Sequence, residues 1–290
     1  MKDLFGKEVR KITNLRQRYI VPPFSVLDAN NTEWKKRKRS WKKLGIQSEM
    51  GRNTDIYEVS KKDNFLANKA NKSFNAVSLF DPVLCEVMYH WFSAKNDKIL
   101  DPFAGGSVRG IVASKMNRKY VGIELRPEQI KANITQAKNI IKDTPKPKWI
   151  QGDSNKELNQ IKDNNFDFIF SCPPYWNLEI YSDMKNDISN LSYKEFLKIY
   201  GNIINKSIQK LKQGKYATFV VGEFRDKNQY GGYLGFVPST IKAFQDAGCL
   251  FYNEIILYTA LGMAPYRAEN NMKNQKVVKV HQNVLVFRKE

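Results

Sequence analysis

Two short stretches hold residue types that could do chemistry. Asp101-Pro102-Phe103-Ala104-Gly105-Gly106-Ser107 is a glycine turn between an apolar strand-like run and a helix-forming one. Gly105 and Gly106 lack a Cβ, so the backbone there can bend sharply and approach a second molecule. The helix that follows presents its first amides at the same place. Ser171-Cys172-Pro173-Pro174-Tyr175-Trp176 ends another apolar run with two stiff prolines and two aromatics. Such a platform can hold a flat ring. Taken alone, the glycine pair also suits a plain tight turn.

Two acids narrow the reading. Glu124 follows the glycines by about twenty residues, where a carboxylate can accept both hydroxyls of a ribose. Asp153 ends a later strand-like run, near where an adenine edge would lie. The ordered set Asp101, Gly105, Gly106, Glu124 and Asp153 says more than any member. The turn is not GxGxxG and no Gly-Lys-Ser/Thr follows it, which disfavours a phosphate-cradling loop.

These residues need a scaffold that brings separate turns to one edge. From about residue 75, strands and helices alternate, as in an α/β domain with a mostly parallel sheet. Strands are expected at Lys98-Ile-Leu-Asp101, 119–124, 149–153, 166–171, 216–222, 252–258 and 283–287. Helices are expected from Ser107 to about Met116, from Pro127 to about Ile141, over 193–212 and over 239–247. Proline is tolerated at a helix start. Residues 1–60 read as a basic N-terminal extension, and 61–290 as the catalytic domain with a basic loop at about 262–280. Val21-Pro-Pro-Phe-Ser-Val-Leu27 is expected to be extended.

The formal charge of +19 favours a polyanionic partner, because bound phosphates release condensed counterions. Glu33-Trp-Lys-Lys-Arg-Lys-Arg-Ser-Trp-Lys-Lys43 is the densest basic run. On a helix, Trp34 and Trp41 would share one face. A basic run is often just a solvated face; the interleaved tryptophans favour nucleic acid. Gly262 to Val280 adds Arg267, Lys273, Lys276 and Lys279. Three cysteines and two histidines are scattered without a CxxC or HExxH pattern, so no metal site is expected. No apolar run could span a bilayer and the first residues lack a secretory core, so a cytoplasmic protein is expected.

The glycine turn followed by Cys-Pro-Pro-Tyr resembles the paired signature of S-adenosylmethionine-dependent DNA amino-methyltransferases, which act on adenine N6 or cytosine N4. The resemblance implies a Rossmann-like class I methyltransferase fold with seven strands, the last antiparallel between the fifth and sixth. It implies S-adenosylmethionine as cofactor, its tail held by Asp101 to Gly106, its ribose by Glu124 and its adenine amine by Asp153. Leu100 and Phe103 would add apolar contacts. Double-stranded DNA is the implied partner, with the target base flipped onto Tyr175. Pro173 would lend its carbonyl to the amine, beside Pro174, and Trp176 would extend the platform. The family has Asp, Asn or Ser where this chain has Cys172, a weak acceptor. Three readings stay open. Cys172 is tolerated and Pro173 carries the load, or Ser171, Glu179 or Asp183 completes the site. Otherwise Cys172 attacks C6 of a pyrimidine for C5 methylation, although cytosine-C5 enzymes place their cysteine after their prolines. Leu178 to Asp183 reads as a lid, and Gly222 to Asp226 as base-contacting or locally paired.

Val21 to Asp28, the basic run, Leu44-Gly-Ile-Gln-Ser-Glu49, Gly51-Arg52, Phe80-Asp81-Pro82 and His281-Gln282-Asn283 resemble stand-alone phage and prophage DNA methylases. That likeness implies no required restriction partner and a bacterial or phage-infected host; it leaves the oligomeric state open, a homodimer included. Adenine N6 is slightly preferred over cytosine N4. The alternatives are an RNA or cytosine-C5 methyltransferase using Cys172, and a noncatalytic DNA-binding protein on the same scaffold.

Overall fold

The computed structural model describes residues 15–47, 80–176, 182, 184, 186–226, 231–259, 261–262 and 264–290. The strands are β1 (Val26–Asp28), β2 (Lys98–Asp101), β3 (Lys119–Glu124), β4 (Lys148–Gln151), β5 (Phe166–Ser171), β6 (Leu211–Val221), β7 (Cys249–Tyr258) and β8 (His281–Lys289). They form one sheet in the order β1-β7-β8-β6-β5-β2-β3-β4. All neighbours run parallel except β8, which lies antiparallel between β6 and β7. That is the insertion implied by the methyltransferase resemblance.

The sheet has eight strands where seven were expected. The extra one, β1, comes from the stretch expected to be extended and pairs with β7 through Val26 opposite Ile256. Three residues after a proline pair are too few to show a two-residue alternation.

A short helix, α1 (Leu15–Tyr19), precedes β1, and further helices cover both faces of the sheet. On one side lie α2 (Thr32–Lys43), α3 (Pro82–Phe92), α4 (Val108–Lys115) and α5 (Pro127–Ile140), which bury Trp34, Val83, Ile111 and Ile130 in one cluster. On the other lie α6 (Ser154–Gln160), α7 (Tyr193–Lys210) and α8 (Phe236–Asp246), which bury Leu158, Phe196 and Phe244 in a second. The sheet separates the two cores. In β5 every residue is buried, with Phe168 and Phe170 in the first core and Ile169 in the second. This alternation on a strand covered from both sides explains its unbroken apolar run.

Start signals place the helices. Ser192 and Glu195 close a capping box on α7. Asp81 caps α3 with Pro82 in its first turn. Helix α3 was not among those expected, because residues on nearly all its faces are buried and no amphipathic period shows. Nor were the short α6 and a helix, Ala264–Met272, in the loop before β8. No helix among the described residues is long and apolar enough to cross a membrane.

Candidate active site

The parallel pairing of β2 with β5 sets the geometry. Leu100 lies opposite Ile169, so the turns leaving these strands begin side by side. This is where the sheet order changes direction, the edge at which doubly wound sheets bind ligands. The glycine turn follows β2 and the Pro-Pro turn follows β5. Both line one cleft of about 850 Å³.

A buried polar cluster ties the two turns together. Asp101 is 0% exposed. Its Oδ1 accepts from Ser171 Oγ at 2.6 Å and from the Phe103 amide at 3.2 Å. Its Oδ2 accepts from Arg109 Nε at 2.6 Å and from the Tyr120 hydroxyl at 2.7 Å. Arg109, 5% exposed, also donates through Nη2 to the Phe103 and Ala104 carbonyls at 2.6 and 2.9 Å. Burial, the largest influence, disfavours the Arg109 cation, but its neighbours, Asp101 first among them, together raise the pKa above the ordinary arginine value. The charged pair is thus hydrogen-bonded on both sides, as burial demands.

This cluster corrects three expectations. The Asp101 and Ala104 side chains face the interior and do not line the cleft, unlike Pro102, Phe103, Gly105 and Gly106. Ser171 is 0% exposed and donates to Asp101, so it does not offer its hydroxyl to the cleft. Leu100 is likewise enclosed, in the second core.

The glycine turn is open, and two carboxylates, Glu124 and Asp153, line the cleft with it. Gly105 adopts φ +49°, and a Cβ built there would meet nothing within 4 Å. Its carbonyl is held by Asn133 Nδ2 at 2.8 Å. Gly122 has the opposite role: a Cβ would come within 2.8 Å of the Ala104 Cβ, so only glycine lets β3 pack against the turn. Glu124 lines the cleft at the end of β3 and accepts the Arg126 amide at 3.0 Å through Oε1. Asp153 also lines it and caps α6 through Oδ1, 2.8 Å from the Asn155 amide.

Cys172, Pro173, Pro174 and Tyr175 line the same cleft. The Cys172 sulfur lies 3.9 Å from the Tyr175 hydroxyl, which accepts from Gln282 Nε2 at 3.0 Å. Trp176 does not extend this platform. Its backbone turns back at φ +46° and its indole donates to the Leu191 carbonyl at 2.8 Å, beside Phe224 and Tyr193. Glu179 and Asp183, and all of the expected lid except Ser182, lie outside the described residues. Gly222 to Asp226 is engaged locally. Glu223 accepts the Gly235 and Val237 amides at the start of α8, and Arg225 stacks on Tyr233.

The basic run is a helix, α2, with two kinds of face. Its indoles point inward: Trp34, 1% exposed, donates to Asp81 at 3.2 Å, and Trp41 donates to Glu86 at 2.8 Å. Arg37 pairs with Glu86 and Lys38 with Asp81. The tryptophans therefore dock the helix onto α3 and are not presented to a ligand, contrary to the sequence expectation. Lys35, Lys36, Arg39, Lys42 and Lys43 are exposed and form no ion pair among the described residues. Lys38, Lys279 and His281 also line the cleft.

Sequence reasoning passed over Arg109 and gave Gln282 no role. A lone arginine inside the apolar Val108-Arg-Gly-Ile-Val-Ala113 was the available signal for the first. Nothing local marks Gln282, because β8 reaches the cleft only through the antiparallel insertion.

A doubly wound sheet with an inserted antiparallel last strand, and a glycine turn beside a proline-aromatic turn, defines a Rossmann-like α/β fold. Over residues 16–137, less than half of its length, the chain matches a DNA methylase family. It is 43% identical over 51 residues to the type II methyltransferase M.XycI of Xanthomonas campestris pv. cyanopsidis, covering 18% of this chain and 17% of that one. It is 27% identical over 174 residues to the type II beta methyltransferase M.BslI of Bacillus sp. (strain NEB-606), covering 56% and 18%. The chain thus spans less than a fifth of the length of either relative. Among solved structures, TrmN from Thermus thermophilus aligns at a TM-score of 0.47 with 13% identity, covering 73% of this chain and 49% of that one.

Proposed function

We propose that this protein transfers a methyl group from S-adenosylmethionine to the exocyclic amine of a base flipped out of double-stranded DNA, adenine N6 slightly ahead of cytosine N4. The observation that carries the proposal is the single cleft shared by the glycine turn and the Cys-Pro-Pro-Tyr turn. The family of residues 16–137 supports it.

The cleft suits the cofactor. An open glycine backbone, the carboxylates of Glu124 and Asp153, and the apolar Phe103 and Ile123 fit an amino-acid tail, a ribose and an adenine without any phosphate site. When bound, the sulfonium supplies an already activated methyl. The chain's task is then orientation: to bring the amine in line with that methyl. Pro173 offers its carbonyl to an amine hydrogen, and Tyr175 offers a ring face, worth about 1–3 kcal/mol per stacked base. Lys38, Lys279 and the outward cations of α2 hold phosphates, which positions the duplex without reading its sequence.

The likeness of the leader and of His281-Gln282-Asn283 to stand-alone methylases supports an enzyme that needs no restriction partner. Calorimetric titration with S-adenosylmethionine tests the reading. Wild type binds and Glu124→Ala binds more weakly; no detectable binding by wild type removes the enzymatic reading.

A further inference from the structure

Several contacts restrain Tyr175, the Cys172 sulfur 3.9 Å from its hydroxyl among them. Pro173 and Pro174 stiffen the backbone before it. Phe236, itself fully buried, packs against its ring in a T-shaped pair at 6.2 Å and 86°. Gln282 Nε2 donates to its hydroxyl at 3.0 Å. Gly222, just after β6, lies near that hydroxyl: a Cβ there would meet it at an ordinary contact distance of 4.0 Å.

Gln282 is well suited to this anchoring. It is the second residue of β8, a strand paired on both sides, and lies opposite Leu257. Its side chain lines the cleft. A group on a central strand holds its position better than one on a loop.

We infer that Gln282 is a positioning residue, fixing the plane of the Tyr175 ring before a base arrives. The inference rests on Tyr175 being the stacking shelf of the proposed reaction. Stacking needs a defined ring plane, and a hydrogen bond at the ring tip sets its tilt. This gives the hydroxyl a purpose that the stacking face alone does not require. It also gives the last strand of the sheet a direct part in the site.

A double-mutant cycle tests this, since only residues acting through one another lose additivity. Tyr175→Phe, Gln282→Met and the double variant are compared by transfer of tritiated methyl from S-adenosylmethionine to DNA from a methylation-free host. Each single change is expected to lower kcat/KM for DNA by roughly 3- to 10-fold, the range of one neutral hydrogen bond. The double variant is expected to lose no more than either single one, with cofactor affinity unchanged. Gln282→Asn, one methylene too short to reach, should behave as Gln282→Met does and serves if that variant does not fold. Additive losses, an unchanged rate in both Gln282 variants, or a parallel fall in cofactor affinity would overturn the inference while leaving the methyl transfer standing. No incorporation by wild type would sink the transfer itself, and this inference with it.

Discussion

Cys172 occupies the position where the DNA amino-methyltransferases it resembles place Asp, Asn or Ser, and the thiol sits 3.9 Å from the Tyr175 hydroxyl at the cleft wall. If Pro173 carries the acceptor role, Cys172→Ser retains or raises methyl transfer; abolished transfer would support a covalent C5 route. The Asp101–Arg109 pair gives a stability prediction. Asp101→Ala leaves a buried guanidinium without its counter-charge, and urea unfolding should show a loss of about 3–5 kcal/mol. His281 gives a pH prediction. Burial lowers its pKa, and neighbouring Lys279 lowers it further. The folded state therefore binds its proton less readily than the unfolded chain. The stability this contributes is fully present above the ordinary value of about 6.5 and is lost as pH falls through the lowered folded value. Melts at pH 7.5 and at pH 5.5 check this: His281→Gln should lose less stability on acidification than wild type.

At the scale of elements, α2 separates anchoring from charge. Trp34→Ala opens a large cavity beneath the helix and should cost about 3–5 kcal/mol of stability. Replacing Lys35, Lys36, Arg39, Lys42 and Lys43 by Gln should leave the melting temperature unchanged. It should weaken DNA binding about equally across sequences and flatten the salt dependence of log K by about 0.9 for each phosphate no longer neutralised. An unchanged salt slope would move the duplex elsewhere. The sequence showed the basic helix but not its division of labour. Indoles spaced seven apart look the same whether they face a nucleic acid or a protein core. Asp81 and Glu86, which decide the matter, lie 47 and 45 residues downstream of the indoles they hold, at the cap and in the body of a helix whose burial hides its period.

Across the whole molecule, the sheet order converts distant motifs into one site. The alternation of apolar runs made the strands that carry Gly105, Glu124, Asp153 and Tyr175 legible, because each buried run ends in a distinct turn. The third dimension was less legible. A carboxylate at a strand end reads alike whether it enters the cleft, as Glu124 does, or closes a buried network, as Asp101 does. Which way Ser171 points depends on the register of β2 against β5, and Gln282 reaches Tyr175 only because β8 inserts between β6 and β7. These are long-range pairings that no local spacing encodes. The most direct trial of the single-cleft account is mass spectrometry of nucleosides from methylation-free DNA incubated with the protein and isotopically labelled S-adenosylmethionine. The account predicts label in N6-methyladenine or N4-methylcytosine; label confined to 5-methylcytosine, or absent from every base, would contradict it.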